Sequence, residues 1–280
     1  MLEQITPLIL TYNEAPNIGR TLERLRWARD VVVVDSFSDD DTLEIVSQFS
    51  NARVFQRVFD SFAGQWQFGL KETGIATEWV LALDADFILT DAVVAELGSQ
   101  RPAGNIAGYK IPLTYCVHGK PLRSSLLPAL TMLYRRGRAN CSPDGHTHRV
   151  NVDGEIRMLR ARILHDDRKS LSRWLATQSR HVVLEGQKLL ASESGKLNLA
   201  DRIRLLRIVA PAVVPLYCLL YRGGILDGWS GIYYAFQRTL AELMLSLYLI
   251  EVDLGHASHK LTVPKKVLAD TVERVTENQS

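Results

Sequence analysis

The stretch "WVLALDADFIL", from Trp79 to Leu89, is hydrophobic apart from two aspartates. Asp84 and Asp86 are separated only by Ala85. Successive side chains of a strand alternate between its faces, so residues two positions apart project the same way. A buried carboxylate is costly unless it is paired or binds a metal. The stretch therefore predicts a buried strand whose end presents two carboxylates together, either to solvent or to a ligand.

Three more hydrophobic strands are predicted ahead of this one: Leu8–Thr11, Val31–Asp35 and Arg53–Phe59. Helical patterns separate the strands. In the first of them Ile18 and Leu22 fall at helical spacing, and the second helix follows "SFSDDDT". Continuous hydrophobic strands alternating with helices indicate a mostly parallel sheet that is covered on both faces, so we expect an α/β fold.

Polar clusters follow three of these strands: "TYNE" at 11–14, "DSFSDDD" at 35–41 and "DAD" at 84–86. Ligands of such folds bind beyond the carboxyl ends of the strands, where the clusters would meet. Each cluster also has a local explanation, because Asn-Glu before Pro16 and the three aspartates 39–41 are typical helix caps. Their convergence on one edge of the sheet nevertheless favours a binding site.

After Gly98 the pattern changes. The stretch 108–125 alternates around Gly-Lys-Pro as a β-hairpin does, and 130–141 reads as another strand. Asp153-Gly154 predicts a second hairpin turn. From Ser170 onward the pattern is helical. We expect a catalytic domain over residues 1–169 and a helical C-terminal region over residues 170–280.

Composition and cysteine spacing limit the expected partners and compartment of the protein. The chain has 280 residues, 46% of them hydrophobic, and a net charge of +2, which is too small to indicate a nucleic-acid partner. Cys116, Cys141 and Cys218 show no metal or disulfide spacing, as is typical of reduced thiols, and the first ten residues do not resemble a signal peptide. We therefore expect a cytoplasmic protein, located at the inner face of the cytoplasmic membrane if its C-terminal helices contact lipid.

The two aspartates suit a hard divalent cation. Mg²⁺ and Mn²⁺ prefer carboxylate oxygens, and Mg²⁺ usually completes its coordination with substrate phosphates. Neither a Gly-x-Gly-x-x-Gly motif after the first strand nor a P-loop is present in the sequence. This disfavours dinucleotide oxidoreductases and P-loop enzymes, and leaves a metal-assisted reaction on a phosphate-bearing substrate.

Four blocks of sequence together match a known family. They are "LILTYNEAPNIGRTLERL", "VVVVDSFSDDDT", "FAGQWQFGL" leading to "WVLALDAD", and "PDGHTHRV…LHDDRK…LSRW". With them the chain resembles inverting family 2 glycosyltransferases of the GT-A fold. Within that family it is similar to the bacterial branch that builds lipopolysaccharide core and other cell-surface glycans. The later "GGILDGWSGIYYAFQRTLAE" is also similar to this branch.

The resemblance implies a nucleotide-sugar pocket. Its expected lining residues are Thr11, Asn13, Glu14, Asp35, Ser36, Gln65 and Asp84. Among them Asp35 would bind the base and Gln65 would approach the pyrophosphate. Asp84 and Asp86 would hold the Mg²⁺ or Mn²⁺ ion. Close relatives carry an acidic residue after the second aspartate, where this chain has Phe87, and the sequence does not explain this difference.

An inverting transfer needs a base for the acceptor proton. The segment "SPDGHTHR" offers Asp144, His146 and His148; by resemblance Asp144 is preferred, with His146 or His148 as the alternative. Asp144 would equally serve as the turn residue of Pro-Asp-Gly. The polar segment after residue 163 adds further candidates. The residues expected to bind the diphosphate or the acceptor are His148, His165, Asp166, Arg168, Lys169 and Trp174.

Two hydrophobic segments, Ile208–Tyr221 and Ile232–Ile250, lie in the C-terminal region. Both read as helices that do not span a membrane, because the first is short and contains two prolines and the second contains charged residues. They form either the core of a helical subdomain or an interfacial patch on a membrane. The expected partners are a nucleotide-sugar donor, UDP-linked by resemblance, a glycan or glycolipid acceptor, and a membrane surface.

Two other functions remain open at this point. "LALDADFIL" loosely fits the nucleophile motif of haloacid dehalogenase-like phosphatases, although that motif normally ends the first strand and here it ends the fourth. The chain could also be a membrane-associated protein with a transferase fold and no activity. The intact Asp84/Asp86 pair argues against this last alternative.

Overall fold

The computed structural model describes residues 1–144, 147–192 and 197–255. Its first hundred residues alternate strands and helices. The strands are β1 Ile5–Thr11, β2 Val31–Asp35, β3 Ala52–Gln56 and β4 Trp79–Asp84. The helices are α1 Ile18–Glu23, α2 Thr42–Ser47, α3 Phe62–Glu72 and α4 Asp91–Ser99. The predicted order of strands and helices is confirmed.

Nine further strands follow. They are β5 Phe87–Ile88, β6 Ile106–Ile111, β7 Leu113–Val117, β8 Lys120–Pro121, β9 Leu130–Arg135, β10 Ala139–Asp144, β11 Thr147–Val152, β12 Glu155–Met158 and β13 Ile163–His165. The central sheet has seven strands in the order β12-β6-β9-β4-β1-β2-β3. A second sheet, β5-β13-β7-β8, and the pair β10-β11 lie beside it.

Strands β4, β1, β2 and β3 are parallel neighbours, as their hydrophobic runs predict. Only β9 is antiparallel to its two neighbours in the central sheet, β4 and β6. Both faces of the parallel part are buried. Ile9, Val33 and Leu81 belong to one hydrophobic cluster, while Leu8 and Val32 belong to the other. Since both faces of β1, β2 and β4 are covered, the carboxylates of these strands, Asp35 and Asp84, lie at strand ends, whereas the edge strand β3 is partly exposed.

The hairpin predicted at Asp153-Gly154 is wrong. Strand β11, before the turn, pairs with β10, whereas β12, after it, pairs in parallel with β6. Gly154 has φ +135°, and a Cβ there would lie 2.7 Å from the Cβ of Ala107. Because residue 154 is a glycine, the chain can pass close to β6 and cross from the β10-β11 pair to the central sheet. This crossing depends on residues that are distant in sequence, such as Ala107. The hairpin predicted around Gly119 is confirmed, because β7 and β8 pair antiparallel.

Helical elements occupy the described chain after Ser170. They are α5 Leu171–Ala191, α6 Leu199–Arg204, α7 Val209–Leu216 with a π-helical turn over Tyr217–Tyr221, a short 3-10 turn Gly224–Asp227, and α8 Trp229–Asp253. In the part of the chain that the structure describes, none of the helices combines the length and the hydrophobicity needed to cross a membrane.

The C-terminal helices are joined to the sheets by a buried carboxylate. Asp227 is buried, and its Oδ2 accepts hydrogen bonds from the backbone N–H groups of Arg123 (3.0 Å) and Ser124 (3.3 Å). Tyr234 of α8 packs its ring 4.8 Å from that of Tyr115 on β7, and its hydroxyl oxygen accepts a hydrogen bond from the backbone N–H of Leu126 (3.2 Å). This junction fixes α8 beside the second sheet.

Candidate functional site

The polar ends of β1, β2 and β4 meet at one edge of the central sheet. Thr11 is the register partner of Asp35, and Leu10 is the register partner of Asp84. The three strands are adjacent in the order β4-β1-β2. The clusters that the sequence placed at strand ends therefore lie side by side, as predicted.

Asp84 and Asp86 differ sharply in their surroundings. Asp84 is exposed at the edge of the sheet, while Asp86 keeps only 9% of its surface. Oδ2 of Asp86 lies 3.0 Å from Nε2 of His165. Its other oxygen, Oδ1, is buried and has no hydrogen-bond partner among the described residues. Asp86 is thus held by one oxygen and has the other available for a ligand.

The electrostatics of these three groups are coupled. Burial by itself lowers the pKa of His165, but the charge of Asp86 and the hydrogen bond to it raise that pKa to about 9. In return, burial raises the pKa of Asp86, but the charge of His165, the hydrogen bond to it and the charge of Lys169 together outweigh burial, so the net direction is downward. Desolvation by the surrounding protein and the charge of Asp86 raise the pKa of Asp84 to about 6. The side chain of Asp84 nevertheless keeps contact with solvent.

Phe87 supports the same site. Its side chain is 3% exposed, and its ring packs edge-on against His165 with centroids 5.2 Å apart. Tyr115 packs against His165 at 5.1 Å, also edge-on. In addition β5 pairs with β13, so that Phe87 is the register partner of His165. Phe87 therefore packs against the imidazole that binds Asp86.

Asp35 is fully buried at the end of β2. Its carboxylate accepts hydrogen bonds from Thr11 Oγ1 (2.9 Å), from the backbone N of Ser38 (2.9 Å) and from Ser38 Oγ (2.5 Å). The loop after β2 is thereby folded back over the strand end. The role of Asp35 in base binding stays a prediction, and the structure places it beneath this loop.

Asn13 joins the loops that follow β1 and β2. It has the positive φ of +56° that asparagine tolerates, and its backbone N–H donates to Ser38 Oγ (2.8 Å). Its side-chain oxygen accepts from the backbone N–H of Asp39 (2.8 Å). The two polar clusters are therefore directly bonded to each other, and Asn13 fixes their relative position.

Ser36 and Gln65 link β2 to helix α3. The buried Gln65 donates from Nε2 to Ser36 Oγ (2.9 Å) and to the carbonyl of Arg57 (3.0 Å). Arg57 in turn donates from Nη1 to Gln65 Oε1 (3.0 Å). Both predicted nucleotide-binding residues thus lie at the same edge as Asp35.

Glu14 is paired across the site with Lys169, which donates to its Oε1. Asn17 donates from Nδ2 both to Glu14 Oε2 (2.9 Å) and to Asp167 Oδ1 (2.9 Å). Burial raises the pKa of Glu14 to about 7, although the charge of Lys169 opposes this. Burial lowers the pKa of Lys169, but the charges of Glu14 and Asp167 outweigh it and the pKa is raised. The strand-one cluster and the segment after β13 therefore share one ionic network.

Asp166 is the centre of a second part of this network. It is buried, and it accepts from Arg20 Nη1 (2.7 Å), Arg168 Nη2 (2.8 Å) and the backbone N–H of Gly119 (2.9 Å). Burial raises its pKa, but the hydrogen bonds from Arg168 and Gly119 outweigh this and the net direction is downward. Asp166 and Arg168, both predicted to bind the diphosphate or the acceptor, are bonded to each other in the ligand-free protein.

Asn17 and Arg20 were not identified from the sequence. Asn17 precedes α1, and Arg20 lies three residues later on the same face, where its Nη2 donates to Asn17 Oδ1 (2.8 Å). The only signal in the sequence was this helical spacing beside "TYNE". Their partners Asp166 and Asp167 are about 150 positions away, so sequence patterns alone could not reveal the network.

The remaining predicted residues are Trp174 and the three candidate bases, Asp144, His146 and His148. Trp174 is half-buried in the first turn of α5, which Ser170 caps by accepting from the N–H of Arg173 (3.3 Å). Asp144 ends β10, and His148 lies on β11. The side chains of Asp144 and His148, and the whole of His146, lie outside the described residues, so the choice of base stays a prediction.

Within residues 1–144, 147–192 and 197–255, no group of three or more His, Cys, Asp or Glu side chains is arranged to hold a metal ion. The protein therefore presents a pair of carboxylates at this edge, with His165 bonded to one of them. Such a pair can share a cation with a bound phosphate.

Comparisons with known proteins agree with these motifs. The family model described as Glycosyl transferase family 2 matches residues 8–102. An uncharacterized glycosyltransferase of Rickettsia felis is 35% identical over 97 residues, which is 34% of this chain and 33% of the relative. The lipopolysaccharide core biosynthesis glycosyltransferase LpsC of Rhizobium meliloti is 30% identical over 93 residues, 32% of this chain and 34% of the relative. The chain thus spans about a third of the length of the curated relatives it matches.

Two solved structures resemble the chain more weakly. S. aureus TarS 1–349 in complex with UDP-GlcNAc is 15% identical with a TM-score of 0.41, covering 93% of this chain and 95% of that one. Mycobacterium tuberculosis glucosyl-3-phosphoglycerate synthase with phosphoglyceric acid is 15% identical with a TM-score of 0.45, covering 69% and 82%. Scores this low carry no argument. The segment that matches the Glycosyl transferase family 2 model, residues 8–102, holds β1 to β4 and both Asp84 and Asp86.

Proposed function

We propose that the protein is a metal-dependent, inverting glycosyltransferase that moves a sugar from a nucleotide-sugar donor to an acceptor hydroxyl. One observation carries the proposal. Within the family 2 segment, Asp84 and Asp86 project from the edge where three polar strand ends meet, and Oδ1 of Asp86 is buried without a partner among the described residues. An unpartnered buried carboxylate oxygen is costly unless a ligand binds it.

The residues present fit a divalent cation. Asp86 would offer Oδ1, and the exposed Asp84 would offer its carboxylate from the same strand end. His165 holds the second oxygen of Asp86 and so fixes the direction of the first. When bound, a cation would neutralise the charge that develops on the leaving diphosphate. Because two carboxylates do not fill an octahedral shell, the donor phosphates would supply further oxygens.

The reaction follows from this arrangement. The acceptor oxygen forms a bond to the anomeric carbon on the face opposite the diphosphate, and the bond from that carbon to the phosphate oxygen breaks. The diphosphate leaves with the electron pair, and the acceptor proton passes to a base. We assign the base to Asp144, with His146 and His148 as the alternatives.

The donor would lie along the edge formed by β1 and β2. We propose that Thr11, Asn13, Glu14, Asp35, Ser36 and Gln65 line its nucleotide part. Asp35 is buried beneath the loop that carries Ser38, so direct contact between its carboxylate and a base requires this loop to move. Asn13 bonds to the same loop and would keep the clusters at 11–14 and 35–41 together.

The donor and acceptor classes rest on similarity. We propose a UDP-sugar as donor from the resemblance of the motifs. For the acceptor we propose a cell-envelope glycan or a lipid-linked saccharide, because one relative that covers a third of the chain is named as a lipopolysaccharide core glycosyltransferase. The paired Lys169 and the Arg20–Asp166–Arg168 group would then face the charged parts of the donor or acceptor.

The test is calorimetric titration of the purified chain with a panel of UDP-, GDP-, ADP- and CMP-sugars, with Mn²⁺, with Mg²⁺ and after chelation. We expect one nucleotide class to bind, and its sugar to be released or transferred only with the cation. Binding that is equal with and without cation would contradict the metal assignment. Hydrolysis of phosphate monoesters without binding of any nucleotide sugar would favour the phosphatase instead. Donor binding with no release under any condition would favour an inactive transferase fold.

A further inference from the structure

Helix α8 turns its large apolar side chains toward solvent. Trp229 is 85% exposed, Phe236 64% and Leu247 65%. These residues belong to one stripe with three- and four-residue spacing, so they share one face of the helix. The stripe consists of Trp229, Tyr233, Phe236, Leu240, Leu243, Leu247 and Leu254, all of them exposed. A soluble helix normally buries such a stripe.

The inner face of the same helix is partly polar. Gln237, Glu242 and Ser246 are buried there, together with Tyr234 and Leu245. Glu242 accepts hydrogen bonds from Arg204 of α6. The amphipathic pattern of α8 is therefore reversed over much of its length, since charged and polar groups pack inward while aromatic and leucine side chains face outward.

The exposed apolar surface continues onto the elements before α8. Ile208, Leu216, Leu220, Tyr221 and Leu226 are each well exposed in α7, the π-helical turn and the 3-10 turn. Among the described residues, more than half of the exposed large hydrophobic side chains lie between Leu199 and Leu254. We call this surface the C-terminal apolar face. Monomeric proteins rarely leave so large a contiguous patch uncovered, and such patches mark interaction sites.

Basic side chains border the aromatic end of this face. Arg222 and Arg123 are exposed, and Lys120 is exposed beside them. Lys120 donates to the carbonyl of Asp227 (2.6 Å), and Arg123 donates its backbone N–H to the carboxylate of the same residue. Arg222 donates from Nη2 to the carbonyl of Ser125, two residues after Arg123 (2.7 Å), so the three residues are neighbours in space. The carboxylate of Asp227 is buried in the junction. The border next to Tyr221 and Trp229 therefore presents cations to its surroundings.

We propose that the C-terminal apolar face docks onto the surface of a lipid bilayer that contains anionic phospholipids. Apolar side chains enter the boundary of the acyl region, exposed Trp and Tyr side chains sit at headgroup level, and arginine and lysine contact lipid phosphates. The broad apolar area and the adjoining cations match these two layers of a membrane surface. The face lies on α7 to α8, outside the family 2 segment.

A second copy of the chain fits this surface less well. Two helices that pair along a seven-residue repeat carry charged residues beside the seam to select the partner. The positions beside the stripe of α8 are uncharged over most of its length (Ser230, Ile232, Gln237, Thr239, Met244 and Ser246), and only Glu251 and Asp253 at its C-terminal end are charged. Asp253 is already paired with Arg207. The apolar face is also much wider than a single helical seam, because it includes α7 and the turns that follow it. A bilayer surface accommodates that width.

Helix α8 lies between the docking face and the proposed catalytic site. On its inner face Tyr234 contacts Tyr115 (4.8 Å between ring centroids), and Tyr115 contacts His165 (5.1 Å), which binds Asp86. Docking would therefore hold the site about one helix diameter, roughly 10 Å, from the lipid surface, a distance that an acceptor anchored in lipid could span. This last consequence rests on the proposed function, whereas docking itself does not.

The test is flotation of the full chain with phosphatidylcholine vesicles and with phosphatidylcholine vesicles that contain phosphatidylglycerol, without donor or cation. We expect strong binding only to the second kind. The double variant Trp229→Glu/Phe236→Glu should bind at least tenfold more weakly. Met158→Glu, which places the same charge at an exposed apolar position of β12, is the control and should bind as the parent does. Circular dichroism verifies that each variant is folded.

The basic border is tested separately. Each of Arg123→Gln and Arg222→Gln should weaken binding to the anionic vesicles about fivefold, as expected for one cation at such a surface.

Three results would overturn the proposal: no vesicle binding by the full chain, equal loss in Met158→Glu, or unchanged binding in Trp229→Glu/Phe236→Glu. If the chain instead forms dimers in analytical ultracentrifugation that this double variant dissociates, a second copy covers the face. Nucleotide-sugar binding is measured on the same samples, so failure of docking is distinguishable from failure of the proposed activity.

Discussion

The parallel sheet and helix α8 distribute polar and apolar side chains in opposite ways. In the sheet, Leu8, Val33 and Leu81 are inside, and the carboxylates are confined to the ends of the strands. In α8, Glu242 and Gln237 are inside, while Trp229 and Phe236 are exposed. The first pattern is what the hydrophobic effect produces in water. The second pattern indicates that the outer face of α8 contacts something other than water.

The two regions also stabilise themselves by different interactions. The sheet is covered on both faces by apolar side chains, so its stability comes mainly from burial of hydrophobic surface. Helix α8 also buries apolar side chains, among them Leu245 and Leu249, but it adds a buried ion pair between Glu242 and Arg204. Asp201 and Glu185 lie near the same arginine. Polar groups at the strand ends make a different contribution: they form a site, and their removal should change activity more than stability. Four predictions follow from this contrast.

The largest effect is expected for Asp86→Ala. If the strand-end carboxylates serve the reaction, this variant should lose about a thousandfold in cation-dependent release of nucleoside diphosphate, comparable to the loss of a group that stabilises transition-state charge. Its free energy of unfolding should fall by about 2 kcal/mol, because His165 loses the charged hydrogen-bond partner that it has in Asp86. Asp91→Ala, an exposed aspartate of α4, is the control and should keep full activity. Comparable activity of both variants would remove Asp86 from the site.

The second prediction compares two identical substitutions. Leu8→Ala in the sheet should lower the free energy of unfolding by about 3 to 4 kcal/mol, because it leaves a cavity in a fully buried cluster. Leu247→Ala on α8 should change it by about 0.5 kcal/mol at most, because the side chain is exposed. Urea denaturation measures both. Similar losses would show that something covers α8 in solution.

The third prediction concerns the buried charge of α8. Glu242→Leu should cost about 2 kcal/mol, since it leaves Arg204 without its closest carboxylate while Asp201 and Glu185 still compensate part of the charge. Glu242→Gln, which keeps hydrogen-bond acceptors at the same position, should cost about half as much. Thermal unfolding of the three proteins measures the difference. If the leucine variant were the more stable one, the polar inner face of α8 would have no structural role.

The smallest effect is a change of stability with pH. Burial raises the pKa of Glu14 from 4.5 to about 7, even though Lys169 opposes it. A carboxyl group with a raised pKa in the folded state contributes stability below pH 4.5, and that contribution is lost as the pH rises through about 7. Glu14→Gln lacks this dependence. Relative to the parent, the variant should therefore be more stable at pH 8 than at pH 5, as measured by urea denaturation at both pH values. No change between the two pH values would contradict the raised pKa.

Much of the fold was predictable because it depends on local hydrophobicity. Strand β2 begins and ends where its five-residue run does, and β4 ends at Asp84, where the apolar run ends. The antiparallel part was harder. Asp153-Gly154 has the composition of a hairpin turn, but β12 joins β6 because the chain passes Ala107 at Gly154. Pairing between distant strands depends on such contacts, and a local pattern does not contain them.

The site, like the fold, was predicted only in part. The positions of Asp84, Asp86 and Asp35 at adjacent strand ends followed from the order of strands and helices. The partners of these groups did not. His165 reaches Asp86 because β13 pairs with β5, and Asn17 and Arg20 reach the segment after β13 because α1 lies beside it. The sequence did not explain why a phenylalanine follows Asp86, whereas the structure shows that the ring of Phe87 packs against His165.

The sequence by itself determined the parallel sheet, the edge at which its polar clusters meet and the family of residues 8–102, because each depends on residues close together in the chain. Only the tertiary structure decided which oxygen of Asp86 is available, which groups hold His165 in place, and that α8 faces its aromatic side chains outward. The sequence pattern of an apolar stripe at helical spacing is the same whether the stripe packs against the protein or faces solvent. Its direction is set by what the opposite face of the helix binds, here Arg204 through Glu242 and Tyr115 through Tyr234.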